Sequence, residues 1–477
     1  MTDTFVAQSH ILHRAFGQRP ENVVSAEGIK LVLESGRTMY DATCGPSVSV
    51  LGHHQPKVTE AITRQLKQIA YVYSGARFTA EPNEELASMI LGACPGGLSK
   101  AIFVNSGSEA TDAAIKLATQ YWHERGLPNK SHVIARKQSY HGNTIGALNV
   151  SGHTSRREIY RDWISENVSF VDPCYAFRLQ KADESPNQYL QRLRDQLEAE
   201  IIRVGPGNIS AFIAETVSGT TLGCLPPVPG YFKAVRELCD KYDILLILDE
   251  ASYICTDHTI MCGMGKTGTM HAWEQEGIRG PDIQTIGKAL GGGFVPLSGV
   301  LLHQKIFDAL AAGSKGLLHG HTFQAHPIAT AAAVAVQKII KELDLLNNVA
   351  KMGKVLEEAL EEMIRPLPFV ADIRGRGLFW AVEFLADPES GAPFAENAKF
   401  CNQVVDAAFE NGLNILGNLG VTGDVHVEHV IVAPPYIVSE SEIRDIVQLL
   451  EISIKDVSRP LLKSRQQTRS TSAKSSL

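Results

Sequence analysis

From about residue 100 onward the chain alternates short apolar runs with longer stretches of helical periodicity, the pattern of a mostly parallel sheet wound with helices. The run at 101–104 leads through Asn105-Ser106-Gly107-Ser108 into a segment whose apolar positions Ala110, Ala113, Ala114, Leu117 and Ala118 recur at the spacing of one helix face. Further strands are predicted at 132–135, 209–214, 244–248, 282–286 and 297–302. Polar residues stand just past them: Ser139-Tyr140-His141-Gly142 after 132–135, Glu215 after 209–214, Asp249 after 244–248 and Gly287-Lys288 after 282–286. In open α/β sheets ligands bind beyond the carboxyl ends of the strands, so residues far apart in sequence are expected to share one pocket.

After Pro327 the pattern is helical to about 340. It then gives a helix, strands at 370–373 and 378–384, a helix, a strand at 429–433 and a helix ending near 456. This predicts an α/β protein: a large domain over 61–325 with a mostly parallel sheet flanked by helices, and a smaller α+β domain from both chain ends, 1–60 and 326–457. Residues 458–477, rich in Ser, Lys, Arg and Thr and poor in apolar side chains, are expected to be disordered. The chain shows no internal repeat.

Composition narrows the partners. The 477 residues are 44% hydrophobic and 20% charged, enough apolar material for a large core. A net charge of -7 leaves no basic surplus for nucleic acid or an anionic membrane, so small molecules are the expected partners. The eight cysteines are scattered without a C-x-x-C pair, which suits reduced thiols and a cytoplasmic location, and no metal site is expected. Neither a signal-peptide core nor a membrane-length apolar stretch is present.

Several residues carry candidate chemistry. Lys288, at a strand end and followed by Gly291-Gly292-Gly293, is placed as a lysine that can bond covalently to a carbonyl compound; the alternative is a surface lysine before a glycine-rich turn. Asp249 is suited to pair with a protonated pyridine nitrogen, or to act as a helix cap or metal-binding acid. Ser106, Gly107 and Ser108 lie at a helix start, where free N–H groups and the helix dipole favour phosphate, though a plain cap fits as well. Tyr140, beside His141, is either a core tyrosine or an aromatic lid on a planar ring.

In this order the segments Asn105-Ser106-Gly107-Ser108-Glu109-Ala110, Ser139-Tyr140-His141-Gly142-Asn143-Thr144, Leu248-Asp249-Glu250, Gly263-Met264-Gly265-Lys266-Thr267-Gly268, Gly287-Lys288-Ala289-Leu290-Gly291-Gly292-Gly293, His319-Gly320-His321-Thr322-Phe323 and Asp372-Ile373-Arg374-Gly375-Arg376-Gly377-Leu378 resemble the class III (omega-type) aminotransferases, of fold type I among pyridoxal-phosphate enzymes. The resemblance runs from about Gly28 to Asp456. It implies pyridoxal 5'-phosphate as cofactor, with Lys288 holding it covalently and shuttling a proton, Asp249 on its pyridine nitrogen and Tyr140 stacked on its ring. His141 belongs to the same cofactor-binding segment. The phosphate would be held at Ser106, Gly107 and Ser108, and by Thr322 of a neighbouring subunit, which requires a homodimer with shared active sites. Glu215 matches an acid that lies near the cofactor face and often pairs with a substrate-recognition arginine. The implied reaction moves an amino group from an amine or amino acid to a keto acid or aldehyde in two ping-pong half-reactions.

The chain departs from the family at three places. Where relatives have a single apolar residue after the Asp-Glu pair, residues 251–260 intervene, and they are expected either to reshape the substrate pocket or to silence the site. His426 stands near where many relatives carry a carboxylate-binding arginine before Ala433-Pro434-Pro435, and Lys266 replaces a frequent arginine. Rival classes fit less well. Gly265-Lys266-Thr267 looks like the end of a phosphate-binding loop, but Ile260 occupies the first glycine's position. No G-x-G-x-x-G follows an early strand. His53, His54, His319 and His321 lack a metal-binding spacing. Another reaction of the same cofactor class, such as a decarboxylation or an amino shift, shares the lysine and the aspartate.

Overall fold

The computed structural model describes residues 4–475 apart from 15, 18, 252–262 and 423–424. Near the amino end β1 (Val23–Glu27), β2 (Lys30–Leu33) and β3 (Thr38–Asp41) form an antiparallel meander. Next, β4 (Leu98–Val104), β5 (His132–Arg136), β6 (Val168–Val171), β7 (Ile209–Glu215), β8 (Leu245–Glu250), β9 (Ile283–Ile286) and β10 (Ser298–His303) build a seven-stranded sheet in the order β4-β10-β9-β8-β7-β5-β6. Within it β10 runs antiparallel to β4 and β9, and the other pairings are parallel. The last part holds β11 (Val370–Arg376), β12 (Phe379–Phe384), β13 (Leu413–Asn414), β14 (Leu416–Thr422) and β15 (Val425–Val432). Four of these make an antiparallel sheet, β11-β12-β15-β14, while β13 pairs in parallel with β3 and so joins the two ends of the chain.

The large sheet is apolar on both faces, which is why its strands read as continuous hydrophobic runs. Phe212, Ala214, Leu246 and Leu248 enter one core, while their neighbours Ala211, Ile213, Leu245 and Ile247 enter the other. Successive strand side chains point to opposite faces, and helices cover both. The helix Gly107–Glu124 lays Ala110, Ala113, Ala114, Leu117 and Ala118 into the second core, as its periodicity predicts.

The strands β1, β2, β3, β6, β13 and β14 were not anticipated; β1 is short and largely exposed, so its hydrophobic alternation is weak. The final helix runs Glu440–Ser475 through Pro460, and so includes residues past 458. Ile454 is buried, and Val457 and Leu461 continue its packing stripe, so Ser458 is drawn into the core despite the polar composition around it. Among the described residues no helix is long and apolar enough to cross a membrane.

Candidate active site

Parallel pairing aligns the carboxyl ends of the central strands. Glu215 of β7 is in register with Asp249 of β8, and Asp249 with Thr285 of β9. A row of polar side chains therefore crosses the end of an otherwise apolar sheet, and all three residues are buried. Lys288 follows three residues after Thr285 and starts the single turn Lys288–Leu290.

Asp249 is held from both sides. Thr285 Oγ1 donates to its Oδ1 at 2.6 Å, joined by the Ala251 N–H at 3.0 Å, and His141 Nδ1 lies 2.8 Å from its Oδ2. Because an ionised carboxylate only accepts, that contact assigns the proton to His141 Nδ1. His141 is itself anchored: its N–H donates to Ser151 Oγ at 2.8 Å, and its carbonyl accepts from Thr111 Oγ1 at 2.7 Å. The Ser139–His141 loop is thereby tied to the helix that begins at Gly107.

Glu215 does not reach outward. Its Oε2 pairs with the Arg136 guanidinium at 2.7 Å, and its Oε1 accepts the Tyr140 N–H at 3.0 Å. The pair is buried at both ends, so Glu215 takes an arginine from β5 inside the core and fixes the backbone under Tyr140.

Ser106 caps the Gly107–Glu124 helix by accepting from the Glu109 N–H at 3.2 Å, while Glu109 Oε2 returns to the Asn105 N–H at 2.7 Å. A helix leaves its first N–H groups without intrahelical acceptors, and here those belong to Gly107 and Ser108. Ser108 Oγ accepts the Asn143 N–H at 2.9 Å, and a Cβ on Gly142, whose φ is +139°, would meet that hydroxyl at 2.7 Å. Only glycine permits so close an approach of the loop to the helix start.

Lys288 is half-buried and has φ of 49°, an uncommon conformation for a side-chain-bearing residue that concentrates at functional positions. Thr322 is exposed, with its carbonyl accepting from Tyr71 Oη at 2.7 Å. Lys266 is buried and donates to the carbonyls of Ala433 and Pro434 at 2.9 and 2.7 Å, which ties the Gly265-Lys266-Thr267 turn to the Ala-Pro-Pro segment. His426 faces Glu428 at 3.1 Å. The expectation for residues 251–260 falls outside the described residues, except for buried Ala251.

The sequence matches the class-III aminotransferase family over residues 14–454. The chain belongs to the class-III aminotransferases. An uncharacterized aminotransferase of Schizosaccharomyces pombe is 41% identical over 453 residues, which cover 95% of this chain and 96% of that protein. The gamma aminobutyrate transaminase 3, chloroplastic, of Solanum lycopersicum is 31% identical, with 95% and 84% covered. The omega transaminase of Pseudomonas jessenii in complex with PMP superposes with a TM-score of 0.88 at 29% identity, over 95% of this chain and 97% of that one. As a class-III aminotransferase, the protein has the fold type I architecture and catalyses amino transfer with pyridoxal 5'-phosphate.

The residues present fit that cofactor: a helix start with N–H groups for a phosphate, a buried acid for a pyridinium, an aromatic side chain and a lysine, all delivered to one end of one sheet. Three residues in contact with the candidate site residues escaped the sequence reading. Arg136 was visible only as a charge ending an apolar strand, Thr285 as one polar residue within a strand, and Arg156, whose Cζ lies 5.0 Å from the centroid of the Tyr140 ring, gave no signal.

Proposed function

We propose that Lys288 is the cofactor-bearing lysine and proton carrier of this aminotransferase, and that Asp249 holds the pyridine nitrogen. The observation that carries this reading is the buried Asp249 carboxylate, oriented by His141 and Thr285 on the sheet end that also delivers Lys288. Bound pyridoxal phosphate supplies an electron sink and a temporary carrier for the nitrogen. Asp249, its carboxylate oriented by Thr285, Ala251 and His141, would face a protonated ring nitrogen. Tyr140 covers one ring face, with its backbone held by Glu215 and its loop by His141. Gly107 and Ser108 bind the phosphate through the helix start, with the Ser106 hydroxyl committed to the cap. Lys288 Nζ would take the proton from the donor's carbon and give it back, as a general base and then acid. An amine or amino acid donates the nitrogen, and a keto acid or aldehyde accepts it in the second half-reaction.

The reading extends to a homodimer in which Thr322 reaches the partner's phosphate. Exposed Thr322 adjoins exposed Tyr71 and Phe323, whose rings lie 5.8 Å apart, an apolar patch of the kind a second subunit covers. A cytoplasmic location accords with unpaired Cys44, Cys94, Cys174, Cys224, Cys239 and Cys401.

The test is an absorption spectrum of the protein with pyridoxal phosphate, beside Lys288→Ala and a form with residues 251–260 replaced by one valine. A cofactor band in the parent that amine donors bleach and Lys288→Ala lacks is the expected result. A band without bleaching points to another reaction of the cofactor class, and a band only in the shortened form means that the insertion silences the site.

A further inference from the structure

We propose that a cavity beside the edge strand β6 binds a small carboxylic acid with an apolar body, its carboxylate on Arg157 and its body on the apolar wall. The cavity holds about 870 Å³, within the range of small-molecule sites, and none of Ser106, Gly107, Ser108, Tyr140, Asp249 or Lys288 lines it. Because β6 ends the large sheet, no further strand pairs with that side of it. Val168 and Phe170, two apart on the strand, point the same way, and with Ile164 and Leu179 they make the apolar wall.

Arg157 closes the short helix Thr154–Arg157, is half-buried and lines the same cavity. Its guanidinium carbon lies 4.6 Å from the centroid of the Phe170 ring, and its Nη1 donates to the Ser151 carbonyl at 2.9 Å. Among the described residues the guanidinium makes no other hydrogen bond and no ion pair. A guanidinium carries five N–H donors in a planar fork, so most of them remain for a ligand. Burial pulls its pKa below the ordinary value, and no carboxylate acts in the opposite sense.

The other charged residues of the cavity leave this cation without a counter-charge. Asp172 is taken by Lys137 at 2.8 Å. Glu158 and Glu166 are exposed, and neither pairs with Arg157. Arg161 is exposed too and stands 3.8 Å from Asp162, a pair that water weakens. One uncompensated cation beside an apolar wall selects a ligand with one negative charge and an apolar body. A carboxylate matches the guanidinium fork in two parallel hydrogen bonds, and in a half-buried position such bonds are stronger than in open water.

The experiment titrates the cofactor-loaded protein by calorimetry with 3-phenylpropionate, which has neither an amino nor a keto group to react, and with 3-phenylpropan-1-ol as its uncharged counterpart. Arg157→Met is expected to weaken binding of the acid on the order of tenfold to a hundredfold, as for lost hydrogen bonds to a charged group, and to leave the alcohol unchanged. Arg157→Lys, which keeps the charge without the fork, should fall between. Leu179→Trp, which fills the cavity and keeps the arginine, should weaken both probes, and Arg161→Met neither. A parent that does not bind the acid overturns the proposal, as does equal acid affinity in the parent and Arg157→Met. Parental acid affinity in Leu179→Trp overturns it as well, because the acid then binds elsewhere. If Arg157→Met does not fold, Arg157→Lys and Leu179→Trp carry the test, and parental acid affinity in either one overturns the proposal.

Discussion

His141 Nδ1 lies 2.8 Å from Asp249 Oδ2, and both side chains are completely buried. The imidazole therefore fixes the direction of the carboxylate proposed to hold the cofactor's pyridine nitrogen. Asp249→Asn keeps the shape and removes the charge, and kcat should fall roughly a hundredfold to a thousandfold, as when a charge-stabilising group is removed. His141→Phe should act in the same direction by about tenfold, since it removes one of several hydrogen bonds to a charged group. Steady-state kinetics at saturating cofactor measure both, and an Asp249→Asn enzyme with parental kcat would remove Asp249 from the chemistry.

Glu215 neutralises Arg136 in the core, so Glu215→Gln leaves a buried guanidinium without its counter-charge. The expected cost is about 3–5 kcal/mol, read by denaturant unfolding of parent and variant. A variant as stable as the parent, yet inactive, would instead make Glu215 a participant in the reaction.

Burial lowers the Lys266 amine from 10.5 to about 8, against the weaker opposing pull of Cys44, Cys224 and Asp41. Between these values the unfolded chain binds more protons than the folded one, so the contribution of Lys266 to stability increases with pH over about pH 8–10 and is flat below. Lys266→Met removes this dependence. The melting-temperature gap between parent and variant should widen as pH rises through that window; a constant gap would show that the amine does not titrate there.

Lys288 and Thr322 are assigned to opposite subunits of each site. Lys288→Ala and Thr322→Ala proteins, each impaired alone at low cofactor concentration, should regain activity when unfolded and refolded together. A mixed dimer then contains one site with Lys288 from one chain and Thr322 from the other. No recovery in mixtures shown to contain mixed dimers would place both residues within one subunit's site or remove Thr322 from it.

Much of this architecture is written locally. The runs that became β5, β7, β8 and β9 are legible because parallel strands buried on both faces must be apolar along their whole length, and the helix after Gly107 because its small apolar residues repeat at helical spacing. Asp249, Lys288 and Ser106–Ser108 stand out as candidates because each interrupts such a pattern where a strand or helix ends. Composition counts residues without regard to face, so it does not reveal that Val457 and Leu461 continue the packing stripe of the final helix.

The sequence by itself determined the layered α/β fold, through the periodicity of its apolar positions, and the family, through the motifs it carries in order. Tertiary structure alone decided the partnerships: Glu215 with Arg136, Asp249 with His141 and Thr285, and Arg156 over Tyr140. Those contacts join residues separated by dozens of positions, and their directions depend on strand register and on which buried charge is already neutralised, neither of which any local stretch of sequence encodes.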